Sequence, residues 1–255
     1  MKEMKYPILE FDEDRNAFLK PGDIMKPTDI SEKCVLCFFG ESIEKALEEY
    51  PHRIVAVFTA ESLKLPVYEL EYHGEKIALI QAGVGAPLAA AQIEELTALG
   101  CRKYIACGGC GVLDDEIAVG HLIIPVSAVR DEGTSYHYIK PSREIEADPR
   151  VVEIIEKTLS DHDIPYIKAK TWTTDAVYRE TPRKIRQRRK EGCVTVEMEA
   201  SAYMAVSRYN GAEFGQILYA GDSLGGETWD GRGWEKRTDI RDLVLRLAID
   251  ACSRL

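Results

Sequence analysis

Apolar, β-rich runs alternate with segments of helical periodicity along most of this chain. "CVLCFF", "RIVAVFTA" and "EKIALIQAG" are typical of strands, whereas "APLAAAQIEELTALG" and "DPRVVEIIEKTLSDHDI" place apolar residues at helical spacing. The first of these helical segments closes on Gly100, and the second begins at an Asp-Pro capping signal. Such alternation predicts an α/β domain with a central mixed, mostly parallel sheet flanked by helices.

The length of the chain is compatible with one large core. It has 255 residues, of which 45% are hydrophobic, so a single domain over residues 1–255 is sufficient to bury them. Residues 1–33 show no clear period, and we expect them to form an N-terminal extension on the surface.

Charge and cysteine content exclude several classes of function. The net charge of −10 argues against a nucleic-acid partner and against anionic membranes. No apolar run approaches the roughly 20 residues of a membrane span, and the first 16 residues are too charged for a secretory signal. The seven cysteines are odd in number and lie mostly in strand-like runs, which predicts reduced thiols in a cytoplasmic protein.

Two cysteine pairs have the spacing of zinc ligands. Cys34 and Cys37 are separated by two residues, as are Cys107 and Cys110. The first pair lies in an apolar strand-like run and the second in a glycine-rich turn. We therefore predict no metal site.

Four loops follow predicted strands, at the edge of the sheet where ligands of α/β proteins bind. They contain Gly40, the pair Gly83 and Gly85 before a helix, the pair Gly108 and Gly109, and Asp222. Free N–H groups in such turns can hold an anion or hydroxyl oxygens. The alternatives are simple tight turns for the glycines and a helix cap for Asp222.

The segment "CVTVEMEASA" places Glu197 and Glu199 around Met198 in apolar surroundings. Buried carboxylates are costly unless polar groups meet them. One interpretation is a helix that begins here with acids in its first turn. The other is a polar ligand, because a carboxylate can accept hydrogen bonds from both hydroxyls of a ribose while a methionine packs on the sugar.

This segment resembles the ribose-binding signature of the nucleoside phosphorylase superfamily. That superfamily includes uridine phosphorylase, the bacterial type of purine nucleoside phosphorylase and methylthioadenosine nucleosidase. "AGVGAPLAAAQIEEL" and "TTDAVYRE" are similar to its glycine-rich turn and base-pocket segment, and "CGGCGVLDDEIAVGHLIIPVSAVRDEGTSYHY" is similar to the uridine phosphorylase branch. The resemblance covers residues 34–255.

The resemblance implies roles for the sugar site. Glu199 would bind the 2′- and 3′-hydroxyls, Met198 would pack on the ribose, and Glu197 is the neighbouring acid of the same motif.

The resemblance implies conflicting identities for the base. Val177 and Tyr178 would lie near the base, and Arg183 corresponds to a base-reading arginine of uridine phosphorylases, whose accompanying glutamine is Thr181 here. Asp222 instead corresponds to the aspartate with which purine-specific members protonate the base. Purine and pyrimidine therefore both stay open.

The phosphate-binding arginines of the family are missing. The corresponding positions hold Glu44, Ala106 and either Leu63 or Lys64. In the nucleosidase branch, a glutamate near the position of Glu44 activates water. Glu44 and its neighbour Glu41 are therefore both candidates for this catalytic role, and the alternative is that both are solvated acids at a helix start.

Together these residues imply an enzyme that cleaves the N-glycosidic bond of a ribonucleoside. The leading expectation is a nucleoside phosphorylase of nucleoside salvage, with phosphate as co-substrate, no metal and no organic cofactor. A nucleosidase and a non-catalytic nucleoside-binding relative are the alternatives. Members of the family place active sites near subunit contacts, so a homodimer or homohexamer is expected.

Overall fold

The computed structural model describes residues 3–255, which form ten strands and seven helices. The strands are β1 (Lys33–Cys37), β2 (His52–Ala60), β3 (Leu63–Tyr72), β4 (Glu75–Gln81), β5 (Lys103–Val112), β6 (Leu122–Asp131), β7 (Glu144–Glu146), β8 (Tyr166–Thr174), β9 (Cys193–Glu197) and β10 (Glu213–Ser223). The helices are α1 (Pro21–Ile24), α2 (Gly40–Glu49), α3 (Ala86–Leu99), α4 (Pro149–Asp161), α5 (Pro182–Lys190), α6 (Ala200–Asn210) and α7 (Thr238–Ser253). Short 3-10 helices cover Pro7–Leu9, Thr134–His137, Val177–Arg179 and Trp234–Lys236.

Local signals explain where several helices begin and end. The Asp148 side chain accepts a hydrogen bond from the N–H of Arg150 at the start of α4, and Thr181 caps α5. Helix α3 ends at Gly100 and α6 at Gly211, both with positive φ. The predicted helix start at Asp-Pro and the predicted stop at Gly100 are confirmed.

The strands form one mixed sheet in which β5 is central. On one side the order is β5, β1, β4, β3 and β2; on the other it is β9, β8, β6 and β10, with β7 added to β6. Strand β10 also pairs in parallel with β5, so β5, β9, β8, β6 and β10 close into a ring. The predicted α/β fold is confirmed, whereas the closure and the three-residue strand β7 were not anticipated because both depend on distant pairing.

Helices cover both faces of the sheet. In β1, Val35 and Cys37 belong to the core that contains side chains of α2, α4 and α7, whereas Cys34 and Leu36 belong to the core beside α3 and α6. Alternate side chains of one strand are thus buried in different cores. All seven cysteines are buried free thiols, and residues 3–255 contain no group of three or more His, Cys, Asp or Glu arranged to hold a metal ion.

The segment before β1 has little regular structure. It contains the 3-10 helix Pro7–Leu9 and the single turn α1, and most of its described side chains are exposed. Among the helices of residues 3–255, none combines the length and the apolar character needed to cross a membrane.

Candidate active site

A cavity of about 610 Å³ opens where β1, β5, β9 and β10 end. Its walls come from residues 38–42 after β1, residues 109–111 of β5 and residues 196–199 at the end of β9. Strands β1, β5 and β10 run parallel, so their carboxyl ends meet at this edge. Of the four loops predicted from the sequence, the one between β4 and α3 contributes Val84. The other three predictions of loops are wrong in detail, because Gly40 begins α2 and the longer strands β5 and β10 include Gly109 and Asp222; all three residues nevertheless line the cavity.

Glu197 lines the cavity, yet its oxygens are engaged by the protein. Its Oε2 accepts hydrogen bonds from the N–H groups of Glu199 (2.7 Å) and Ala200 (2.6 Å), and its Oε1 accepts one from the hydroxyl of Thr173 (2.7 Å). Burial raises the pKa of Glu197, whereas these three donors oppose the increase. Glu197 therefore secures the start of α6 and the backbone that carries Glu199.

Glu199 is the carboxylate with hydrogen-bonding capacity left for a ligand. It is 6% exposed, and its Oε1 accepts a hydrogen bond from the N–H of Gly85 at 2.6 Å. Burial and, secondarily, the neighbouring Glu197 carboxylate raise the pKa of Glu199 to about 8. Met198 lines the cavity beside it. The three residues predicted to bind the sugar, Glu197, Met198 and Glu199, therefore lie together at the start of α6.

A second pair of acids, Asp222 and Glu180, also lines the cavity. Asp222 lines the cavity, and its Oδ2 accepts a hydrogen bond from the indole N–H of Trp229 at 2.7 Å. Glu180 lines the same cavity; burial, followed by the charge of Asp222, raises the pKa of Glu180 to about 7. Glu180 ends the "TTDAVYRE" segment, in which the sequence pointed only to Val177 and Tyr178.

The predicted base-site residues separate in the structure. Val177 lines the cavity, whereas Tyr178 is 96% exposed outside it and Arg183 lies on the exposed face of α5. Val177 and Tyr178 belong to the same short 3-10 helix, in which three residues complete a turn, so adjacent side chains point in different directions.

The five glycines predicted to form anion-binding loops also differ in whether they line the cavity. Gly40 and Gly109 line the cavity, whereas Gly83, Gly85 and Gly108 do not. Gly85 still acts on the site because its N–H fixes Glu199. Its φ of +96° is a conformation that side chains disfavour, which explains a glycine at this position.

The structure distinguishes Glu41 from Glu44, the two acids of α2 that the sequence left as equivalent candidates. Glu41 lines the cavity, whereas Glu44 is exposed one turn further along the helix and does not line it. Among residues 3–255, Arg241 of α7 is the only basic residue that lines the cavity. Its guanidinium lies 5.5 Å from the Phe39 ring centroid and donates to the Tyr219 hydroxyl at 3.2 Å.

The sequence did not single out Arg241, Glu180 or Gln216, which all line the cavity. Glu180 is the last residue of the "TTDAVYRE" segment, but no local motif marks the other two: Arg241 is one of several polar positions of an amphipathic helix, and Gln216 is an isolated polar residue in an apolar strand. A polar residue within an otherwise buried strand was the available signal for Gln216.

Comparisons with known proteins agree with this geometry. The family model of the phosphorylase superfamily matches residues 32–251. The chain is 26% identical to a guanosine phosphorylase from Halorubrum lacusprofundi over 77% of this chain and 83% of that protein. It is 34% identical to a uridine phosphorylase from Thermococcus kodakarensis over 42% of this chain and 39% of the relative.

The fold is also that of a solved structure. A uridine phosphorylase from Vibrio fischeri superposes with a TM-score of 0.76 at 22% identity, over 91% of this chain and 95% of that chain.

Proposed function

This chain belongs to the phosphorylase superfamily, and on that premise we propose that it cleaves the N-glycosidic bond of a ribonucleoside with phosphate, giving the base and ribose 1-phosphate. The observation that carries the proposal is Glu199. One oxygen of this buried carboxylate is fixed by Gly85, and the side chain lines a cavity large enough for a nucleoside. An ionised carboxylate held in this way matches a vicinal diol.

Asp222 and Glu180 suit departure of the base. Cleavage places the electron pair of the C1′–N bond on the base, so a nearby proton donor lowers the barrier. Both acids line the cavity, and the pKa of Glu180 is raised to about 7, which keeps a proton available near neutral pH. We expect a purine base to be preferred, because its N7 can accept that proton.

Arg241 supports phosphate as the nucleophile. Family arginines are absent at Glu44 and Ala106, and Arg241 supplies a guanidinium to the cavity from a different element. Arginine suits phosphate because its planar fork matches the oxygens.

Hydrolysis is the second candidate, and Glu41 is the observation that favours it. This carboxylate lies in the cavity wall at the start of α2, where it would repel a phosphate dianion and could accept a proton from water. In this alternative Glu41, rather than Glu44, activates the nucleophile.

A product assay distinguishes the two. Uridine, inosine, guanosine, adenosine and methylthioadenosine are each incubated with the protein, with and without phosphate, and base and sugar products are separated by chromatography. Phosphorolysis predicts base release only with phosphate, together with an equal amount of ribose 1-phosphate. Release without phosphate that disappears in Glu41→Gln would instead establish hydrolysis.

The variant Glu199→Ala tests the site itself. It should fold, as judged by circular dichroism, and lose at least about a hundredfold in kcat/KM, because the diol contact is formed by a charged, buried group. A folded Glu199→Ala protein with full activity would refute the proposed site. We also expect a homodimer or a homohexamer of the 28.6 kDa chain, which native mass spectrometry will test.

A further inference from the structure

Gln216 is a buried side chain in the cavity wall whose amide lacks protein partners. It is 2% exposed, and neither its Nε2 nor its Oε1 has a hydrogen-bond partner among residues 3–255. A buried carboxamide without partners is unfavourable, and native proteins keep few such groups. Because this one lines the cavity, a bound molecule can supply the missing hydrogen bonds.

The strand geometry shows which part of the cavity Gln216 faces. Alternate residues of β10 share a face, so Gln216 lies on the same side of the sheet as Phe214. Phe214 stacks on Tyr203 of α6 with ring centroids 5.1 Å apart. Gln216 therefore faces the helix whose first turn carries Glu199.

Gln216 also lies at the inner end of the cavity. In the β10–β5 ladder it is paired with Ala106, which is paired with Leu36 of β1 and lies below the strand ends. Asp222 follows six residues later, roughly 20 Å further along an extended strand. A nucleoside with its base at Asp222 and its diol at Glu199 would turn towards the inner end the face of its ribose that lies opposite the base, which is the face that a nucleophile attacks.

We propose that Gln216 binds the oxygen that attacks C1′, an inference that rests on the proposed function. A lone pair of that oxygen forms the C1′–O bond while the C1′–N pair passes to the base, and the proton lost by the nucleophile is balanced by the proton gained by the base. Water and hydrogen phosphate each have an O–H group that can donate a hydrogen bond to Oε1 of Gln216. Each also has an oxygen lone pair that can accept a hydrogen bond from Nε2.

The variant Gln216→Leu tests this role, with Gln92→Leu as a matched control for stability. Gln92 is also buried, but its Oε1 accepts from the N–H of Gly83 (2.8 Å) and its Nε2 donates to the carbonyl of Gln81 (2.9 Å). Gln216→Leu should keep or raise the Tm, because it removes unpaired polar atoms, whereas Gln92→Leu should lower it.

Kinetics provide the decisive readout. Gln216→Leu should lower kcat about tenfold and leave the KM for the nucleoside within about twofold of wild type. If phosphate is the nucleophile, the KM for phosphate should rise. The activity of Gln216→Glu should then be lower still, because the added negative charge repels phosphate. If the enzyme is a nucleosidase, each variant should lose the same activity with and without phosphate.

Three results would overturn the inference. Gln216→Leu could retain wild-type kcat and KM values, or it could raise only the KM for the nucleoside. It could also have a lower Tm, as Gln92→Leu should, and that result would indicate that Gln216 has a structural role. In each case an active wild-type protein leaves the proposed function standing. A wild-type protein that cleaves none of the five nucleosides removes both proposals.

Discussion

Glu197 and Glu199 are separated by one residue and have different tasks. Glu197 accepts two backbone N–H groups and the Thr173 hydroxyl, so the fold itself compensates its burial. Glu199 accepts a hydrogen bond from the N–H of Gly85, and its pKa is raised to about 8 because backbone donors do not offset burial and the nearby Glu197 carboxylate. The site therefore holds a carboxyl that a bound diol would help to ionise.

Nucleoside binding should consequently strengthen as the pH rises from 6 towards 9. A bound diol favours the ionised carboxylate, lowers the pKa of Glu199 and so releases a proton below about pH 8. Calorimetric titrations in buffers of different ionisation enthalpy measure that release. Glu199→Gln, which cannot titrate, is the control and should bind more weakly without this proton release. A wild-type affinity that does not change over this range would contradict the assignment.

The loop between β4 and α3 shows how an element supports the site. Gly85 immediately precedes α3 with φ +96° and ψ 144°, and its N–H points at Glu199. A Cβ at this glycine would meet no atom within 4 Å, so the demand for glycine is conformational rather than steric. Helix α3 thus begins with a backbone geometry that also holds the carboxylate.

Gly85→Ala should therefore reduce both stability and activity, whereas Gly74→Ala should reduce stability alone. Gly74 also has positive φ (+83°) and open space where a Cβ would lie, but it is in the β3–β4 turn outside the cavity lining. Each change should cost about 1–3 kcal/mol of unfolding free energy. Urea denaturation and nucleoside cleavage assays measure the two effects. Equal activity in both variants would show that the Gly85 contact is dispensable.

Across the molecule as a whole, the cavity lies where the sheet closes on itself. β10 pairs with both β5 and β6, and the lining combines residues from β10, β5, β9 and the segment after β1. A ligand in this cavity contacts segments from distant parts of the sequence. Its binding energy therefore acts against unfolding of the entire chain.

A cleavable nucleoside, or a non-hydrolysable analogue of it, should raise the Tm. At a concentration about 100 times its Kd, the stabilisation is about 2.7 kcal/mol, which corresponds to roughly 5–10 °C for a chain of this size. Differential scanning fluorimetry with each nucleoside measures the shift, and free ribose is the control. Equal shifts with ribose and with the nucleosides would argue against a base contact at Asp222.

The order of residues alone was enough to predict most of the elements and to single out the Glu197–Glu199 motif. Strand alternation, helix periodicity, the Asp148 cap and the Gly100 stop depend on neighbours a few residues away, so they are visible in the printed chain. The Glu197–Glu199 motif was visible for the same reason, because its three candidate residues are consecutive.

Which distant side chains meet depends on the folded arrangement of the chain. The β10–β5 pairing closes the ring and places Gln216 beside Ala106, which is remote in the sequence but adjacent in the sheet. Packing of α7 brings Arg241 to the cavity. Glu41 lines the cavity, whereas Glu44 lies one helical turn further along α2 and does not. Local periodicity encodes where each element forms, whereas register and packing, which sum many weak contacts between remote segments, determine the site.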